Sequence, residues 1–447
     1  MQNEHLLTEG RIGPTLLRFA LPFLAASFLQ ALYGATDLYV VGRFSGSEAV
    51  SAVAIGSQVM QTITGILLGI ATGGTVLIGR HVGAEDDRSA ARAVGALAVL
   101  MAVIAAALTP IMLLCTHQAV SAMHTPAEAV PFAVQYLLVC SCGIPFIAGY
   151  NTIAGIFRGI GDSKSPMYFI CVACAVNIGL DFLLTGAFHL HALGVAIATV
   201  LAQACSFFCF LAYLYKKQLP FPFHKNDFHS DRKSIWSILK VGFPLALQDG
   251  LVNISFLMIT AIINVLGLVA SAAVGVVERI IAFAMLPPGS FSSVVAAMAA
   301  QNIGAGRQDR AWKTLWFAIG YSLIFGVGVC VFVQFFPEVL PGIFDKNPEV
   351  VRAAGQYLRS YTIDCIMVSF VFCINGFLSG LGKSTIAFAH SMVATFVVRI
   401  PVTYLMSRLV SDSLFLMGLA APAASLVSIV ICFFVLLYLH RKMASAL

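Results

Sequence analysis

The chain is 447 residues long, 59% hydrophobic and only 10% charged, with a mean hydropathy of +0.91. Soluble domains carry about 25% charged residues, so this is an integral membrane protein with no room for a large soluble domain. The net charge of +6 does not mark a nucleic-acid binder, because the basic residues sit in short loops between apolar runs.

A spanning helix needs about 20 apolar residues, and the long uncharged runs exclude the short alternating strands of a membrane β-barrel. The opening stretch MQNEHLLTEGRIGP lacks the charged, apolar and small-residue order of a cleavable signal, so the first span is expected to drive insertion. The runs predict an all-α polytopic membrane protein with twelve transmembrane helices. Their limits are 14–42, 49–77, 90–115, 130–157, 166–190, 192–215, 235–265, 270–300, 312–336, 350–378, 386–409 and 414–440. Several exceed the minimum length, which implies tilt or kinks. Most of the 26 lysines and arginines precede span 1 or follow an even-numbered span. By the positive-inside rule that side is cytoplasmic, with both termini inside the cytoplasmic (plasma) membrane.

Span 1 carries Pro22, which removes a helix hydrogen bond and offers a place to bend. Further along it lie Tyr33 and, one turn later, Asp37. Span 5 reads PMYFICVACAVNIGLDFLLTGAFHL, and its only carboxylate is Asp181, with Asn177 one turn before it on the same face. An ionised carboxylate in hydrocarbon costs at least ~2.5–3.5 kcal/mol, so a chain that keeps one there uses it. Span 6 adds Thr199. At about 1.5 Å per residue, Asp37, Asp181 and Thr199 fall at a similar depth in the outer half of the bilayer. Two carboxylates close together in low dielectric cannot both be ionised cheaply. Such a pair is a proton carrier or an anionic site for a small cation.

The second half holds Asp249 in span 7, Glu278 and Arg279 in span 8, Asp364 in span 10 and Arg399 in span 11. Glu278 or Asp364 paired with Arg399 would form a buried bridge, whereas Asp249 is a candidate for a cargo-lining position. The cysteine pairs Cys140/Cys142, Cys171/Cys174 and Cys205/Cys209 lie inside apolar runs without the partner ligands that a zinc site needs. No Walker loop, HExxH or Ser/His/Asp cluster occurs, so no enzyme and no cofactor is expected.

The chain repeats itself. Phe19-Ala-Leu-Pro22 returns as Val241-Gly-Phe-Pro244, and Ser51-Ala-Val-Ala-Ile-Gly56 as Ser271-Ala-Ala-Val-Gly275. His81-Val-Gly-Ala84 returns as Asn302-Ile-Gly-Ala305, and Gly159-Ile-Gly-Asp-Ser163 as Gly380-Leu-Gly-Lys-Ser384. Ordered matches at a near-constant offset of about 221 indicate duplication of a six-helix unit. Six is even, so the expected architecture is two six-helix bundles related by a pseudo-two-fold axis along the membrane normal. Residues 1–215 form the first lobe and 235–447 the second, joined by a polar, proline-bearing linker at 216–234. The second lobe lacks the aspartate pair, since Ile259 and Val402 stand at the repeat positions.

These motifs together resemble a known family. The opening LTEGRIGPTLLRFALP, the later LYGATDLYVVG, the GRHVGA and QNIGA loops, FRGIGDSKSP and the NxxxD of span 5 are similar to the multidrug and toxic compound extrusion (MATE) transporters. The similarity covers essentially the whole chain and is greatest to the DinF-like bacterial and archaeal branch. It implies a cation-coupled antiporter exporting amphipathic, often cationic drugs through a cleft between the lobes by alternating access. It implies that Asp37, Asn177, Asp181 and Thr199 hold the coupling ion, H+ or Na+. Tyr33 and Asn151 would stand nearby and Pro22 would be the bending point. The family's second amide after Asn151 is replaced here by Ala154. The nearest competitor is a lipid-linked saccharide flippase of the same superfamily, which has more helices and a more basic cavity. Expected partners are small amphipathic molecules and the lipid bilayer, and a monomer is expected.

Overall fold

The computed structural model describes residues 7–217, 219–228, 231–410 and 413–444. Met1–Leu6, part of the stretch read for a signal, and Gln218, His229 and Ser230 of the expected linker lie outside the described residues.

Hydrocarbon offers the backbone no hydrogen-bond partner, so each apolar run closes its bonds internally as a helix. The spans are Ile12–Phe44, Ser47–Gly83, Asp87–Leu114, the pair Val130–Cys142 and Ile144–Gly159, Lys164–Ala187, and His191–Lys217. They continue as Arg232–Asn264, Leu268–Gly304, Gln308–Phe335, Pro348–Gly380, Ser384–Leu409 and Leu414–Lys442. All twelve expected runs are helical. Eleven cross unbroken or nearly so, and the fourth is a pair bent by 46°. The bend falls at Gly143, two residues before Pro145, which has no N–H to give the preceding turn. Span 8 is interrupted at Met285, just before Pro287 and Pro288, for the same reason. Span 1, by contrast, runs through Pro22 without a break. Spans 5 and 11 each contain a π-helical stretch, at Phe182–Ala187 and Val393–Arg399. The first of these begins directly after Asp181.

The repeated loop motifs have a backbone cause. Gly161 and Gly382, 221 residues apart, both take a left-handed φ, +93° and +72°. Each closes its helix with the same paired bonds. Gly161 and Asp162 donate to Arg158 and Phe157, while Gly382 and Lys383 donate to Ser379 and Leu378. This is the glycine-terminated helix end that a side chain at φ > 0 would strain.

The chain divides into two compact units, one comprising Met1–Ala246 with Ala300–Gln308, the other Leu247–Ala299 with Asp309–Leu447. The division falls inside span 7 rather than in the expected linker. The reason is close packing. Gly69 and Gly73 of span 2 face Ala246, Gly242 and the Ile238 carbonyl of span 7, and a Cβ at either glycine would overlap that backbone. Small residues four apart let two membrane helices approach this closely.

Within the first unit, spans 4, 5 and 6 meet over an aromatic core. Phe169 stacks on Phe210 with ring centroids 4.4 Å apart, and Phe157 and Tyr213 flank them. Within the second unit one of the repeat-equivalent positions is polar. His390 stands where Phe169 does, and it bonds Asn375 at 2.7 Å and Ser428 at 2.9 Å, tying spans 10, 11 and 12 together.

Asp162, in the turn between spans 4 and 5, accepts from the Lys164 and Ser165 amides, the Ser165 hydroxyl and the Lys217 ammonium, the last at 2.7 Å. Burial alone would raise its carboxyl, but the Lys217 and Ser165 bonds outweigh it and hold the group below the usual carboxylate range. A depressed carboxylate contributes stability that is present above its ordinary value near 4 and lost as pH falls through the folded value. Thermal stability of the wild type is therefore expected to drop below about pH 4 more steeply than that of Asp162→Asn. Parallel melting curves at pH 3 to 6 check this.

Candidate functional site

Span 1 brings Tyr33 and Asp37, span 5 brings Asn177 and Asp181, and span 6 brings Thr199 to one place inside the first unit. The 3.6-residue period makes this possible. Tyr33 and Asp37, and likewise Asn177 and Asp181, are four apart and share a face. Asp37, Asn177 and Asp181 are buried, with Asp181 at 0% exposure.

The Thr199 hydroxyl donates to Asp37 Oδ2 at 3.3 Å, and the Asn177 amide donates to Thr199 Oγ1 at 3.5 Å. The Asp37 and Asp181 carboxyls are close enough to act on each other electrostatically. Two carboxylates are acceptors only, so they can bond each other only when one of them carries a proton. Asp37 Oδ1, Asn177 Oδ1 and both carboxylate oxygens of Asp181 are buried without a hydrogen-bond donor. Four donorless oxygens at one spot contrast with the ordinary rule that buried polar atoms are satisfied. The donor set is oxygen-rich and anionic, which is the chemistry of a proton or of a hard cation such as sodium.

One member of this cluster escaped the sequence reading. Gln203, buried and one turn beyond Thr199 on span 6, donates from Nε2 to the Tyr33 hydroxyl at 3.3 Å. Spans 1 and 6 are thus joined by two rungs, Thr199 to Asp37 and Gln203 to Tyr33. The signal was available, because position 203 is four beyond 199. Gln203→Leu is expected to leave the carboxylates in place but free Tyr33, lowering gradient-driven transport about three- to tenfold. The loss of one neutral hydrogen bond, ~0.5–1.5 kcal/mol, sets that range. Initial-rate transport of Gln203→Leu beside Gln203→Glu checks it.

The other expected residues are placed differently. Asn151 is buried but donates to the Ile147 carbonyl of its own helix at 2.9 Å. Asp249 stands exposed on span 7, in the second unit. The expected bridge to Arg399 is not formed. The Arg399 guanidinium sits 4.3 Å from the Phe256 ring centroid and donates to the Tyr361 hydroxyl at 2.7 Å. Glu278 instead accepts from Thr260 at 3.0 Å. Among the described residues the ion pairs within 4.0 Å are Lys217–Asp162 and His224–Asp227. Arg399 therefore compensates Glu278 and Asp364 through space. No group of three His, Cys, Asp or Glu side chains gathers at one point among the described residues.

The MatE family model matches residues 22–183 and again residues 244–405, an offset of 222 between the two starts. The chain belongs to the MatE family. The twofold match carries the repeat from four short motifs to the greater part of each half. Relatives of this MatE protein include the probable multidrug resistance protein YpnP of Bacillus subtilis. That relative is 26% identical over 90% of this chain and 89% of its own length. The FAD transporter of Shewanella oneidensis is 25% identical over 80% of each chain. Among solved structures, a MOP superfamily transporter from Pyrococcus furiosus superposes with a TM-score of 0.92 at 20% identity, covering 100% of this chain and 99% of that one. The MatE protein thus has the two-lobe, all-helical fold of these transporters.

Proposed function

We propose that this MatE protein is a multidrug exporter driven by an inward cation gradient, with the cation carried between Asp37 and Asp181. One observation carries the reading: four buried oxygens at the Asp37–Asn177–Asp181 cluster lack donors, and they belong to spans 1 and 5 of one unit, with Thr199 of span 6 bonded to Asp37. Binding a positive charge there draws spans 1, 5 and 6 onto a shared ligand. Losing it leaves two carboxylates in mutual repulsion. The cation therefore has a differential affinity for two arrangements of these helices, which is what any ligand needs to shift an equilibrium. A proton suits the arrangement best, because two buried carboxyls that act on each other cannot both be ionised cheaply. Sodium is the second cation that the same oxygens accept.

Cargo is expected to be amphipathic and often cationic. The multidrug relatives support this, and Asp249, an exposed carboxylate on span 7, is the proposed contact for a positive group. We place the protein in the cytoplasmic membrane with both termini inside, a reading that the distribution of lysine and arginine supports. We take the two halves to act as the lobes of an alternating-access carrier, with Pro22 as the bend in span 1.

The test is efflux of an ethidium-type cation from proteoliposomes under a pH gradient and a sodium gradient imposed separately. Transport driven by one gradient names the ion. Transport under neither would sink the drug-exporter reading and bring the flippase forward.

A further inference from the structure

Where span 8 ends, Ala300–Gln308 packs as part of the first unit although the rest of that span belongs to the second. The contact is reciprocal between repeat-related positions. A Cβ on Gly83 would overlap the Gln301 carbonyl, and a Cβ on Gly304 would overlap the Arg80 carbonyl. Gly304 is the repeat partner of Gly83, and Gln301 that of Arg80, each at an offset of 221. Two helix ends with one ancestry thus sit glycine to backbone on each other.

A third element closes over them. The strap Leu7–Gly10, just before span 1, has Leu7 and Thr8 buried. Its Leu7 amide donates to Gln301 Oε1 at 3.0 Å, and the Asn302 amide donates back to the Leu7 carbonyl at 3.4 Å. Arg307 Nη1 donates to the Thr8 carbonyl at 2.7 Å. Gln301 also donates to the Gly159 carbonyl at the end of span 4, at 2.8 Å. These three bonds from the strap to the end of span 8 use strap backbone. Glycine-on-carbonyl contact is tight but carries no side-chain interdigitation to unpick. Thr8, Glu9, Glu85 and Arg307 line a cavity beside the strap, so water can take over the strap's bonds when it lifts.

We propose that the strap Leu7–Gly10 is a latch that holds the end of span 8 on the first unit in one transport state and releases it in the other. This rests on the alternating-access reading above, in which the side carrying these ends must open in turn. Gln301, Asn302 and Arg307 are the catch. Gly83 and Gly304 are the seat.

The experiment uses full-length protein in lipid nanodiscs for deuterium uptake and in proteoliposomes for transport. Two variants are compared with wild type: Arg307→Ala, and the double variant Gln301→Ala, Asn302→Ala. Both are expected to speed uptake at 80–85 and 301–307 about tenfold while leaving 164–187 unchanged, with Arg307→Lys close to wild type. Both are also expected to raise ethidium leak without an imposed gradient about threefold, because the closed state is less populated. Unchanged uptake overturns the latch whether or not the protein transports. Faster uptake with leak and driven efflux at wild-type rates also overturns it, showing a static clip. Failure of wild-type protein to transport under either gradient sinks the exporter reading instead, and the uptake comparison still decides the latch.

Discussion

Asp181→Asn is expected to abolish gradient-driven efflux, by about a hundredfold or more, while the protein remains inserted and folded. The carboxylate is wholly buried with both oxygens donorless, and asparagine keeps its shape while removing its charge. Keeping a charge at such depth costs at least ~2.5–3.5 kcal/mol, so the substitution relieves a cost and is not expected to lower stability. What disappears is the differential affinity for the cation. Moving a two-state carrier from mostly one form to mostly the other takes roughly 5.5 kcal/mol of such difference. A single remaining Asp37, still held by Thr199, has no second carboxyl with which to share a proton. Efflux under the driving gradient and melting temperature should be read on the same preparation. Wild-type-like efflux with an unchanged melt would show that the cation is carried elsewhere.

Much of this was legible in the sequence, and the reasons are specific. All twelve helices were visible because an apolar run of span length has only one way to satisfy its backbone in lipid. The repeat was visible where turn chemistry forces it, as at Gly161 and Gly382. The cluster of Asp37, Asn177, Asp181 and Thr199 was visible because carboxylates are costly in hydrocarbon and the four-residue spacing fixes their faces. Gln203 was missed because a neutral amide carries no such cost and does not stand out in an apolar run. The π-helical stretches left no mark, since Phe182–Ala187 and Val393–Arg399 contain no residue that an α-helix would exclude. The end of the first unit inside span 7 was hidden for a different reason. Gly69, Gly73, Gly242 and Ala246 read as ordinary small residues until their partners are known.

Charge pairing in the second unit was read too simply, and the actual arrangement yields the other large effect. Arg399→Met is expected to destabilise the protein by about 3–5 kcal/mol, the range for removing one partner from a buried charge set. The guanidinium stacks on Phe256 and bonds Tyr361, while Glu278 and Asp364 lie outside ion-pair distance and interact with it electrostatically. A cation over a desolvated ring contributes about 2 kcal/mol. The larger share of the loss comes from the two carboxylates, buried Asp364 and half-buried Glu278, which lose their counter-charge. That division is testable by restoring neutrality. The triple variant Arg399→Met, Glu278→Gln, Asp364→Asn should recover most of the melting temperature that Arg399→Met loses. If the triple variant melts no higher than the single one, the stacking and the Tyr361 bond carry the stability. Arg399 would then be a packing residue and not the counter-charge of the second unit.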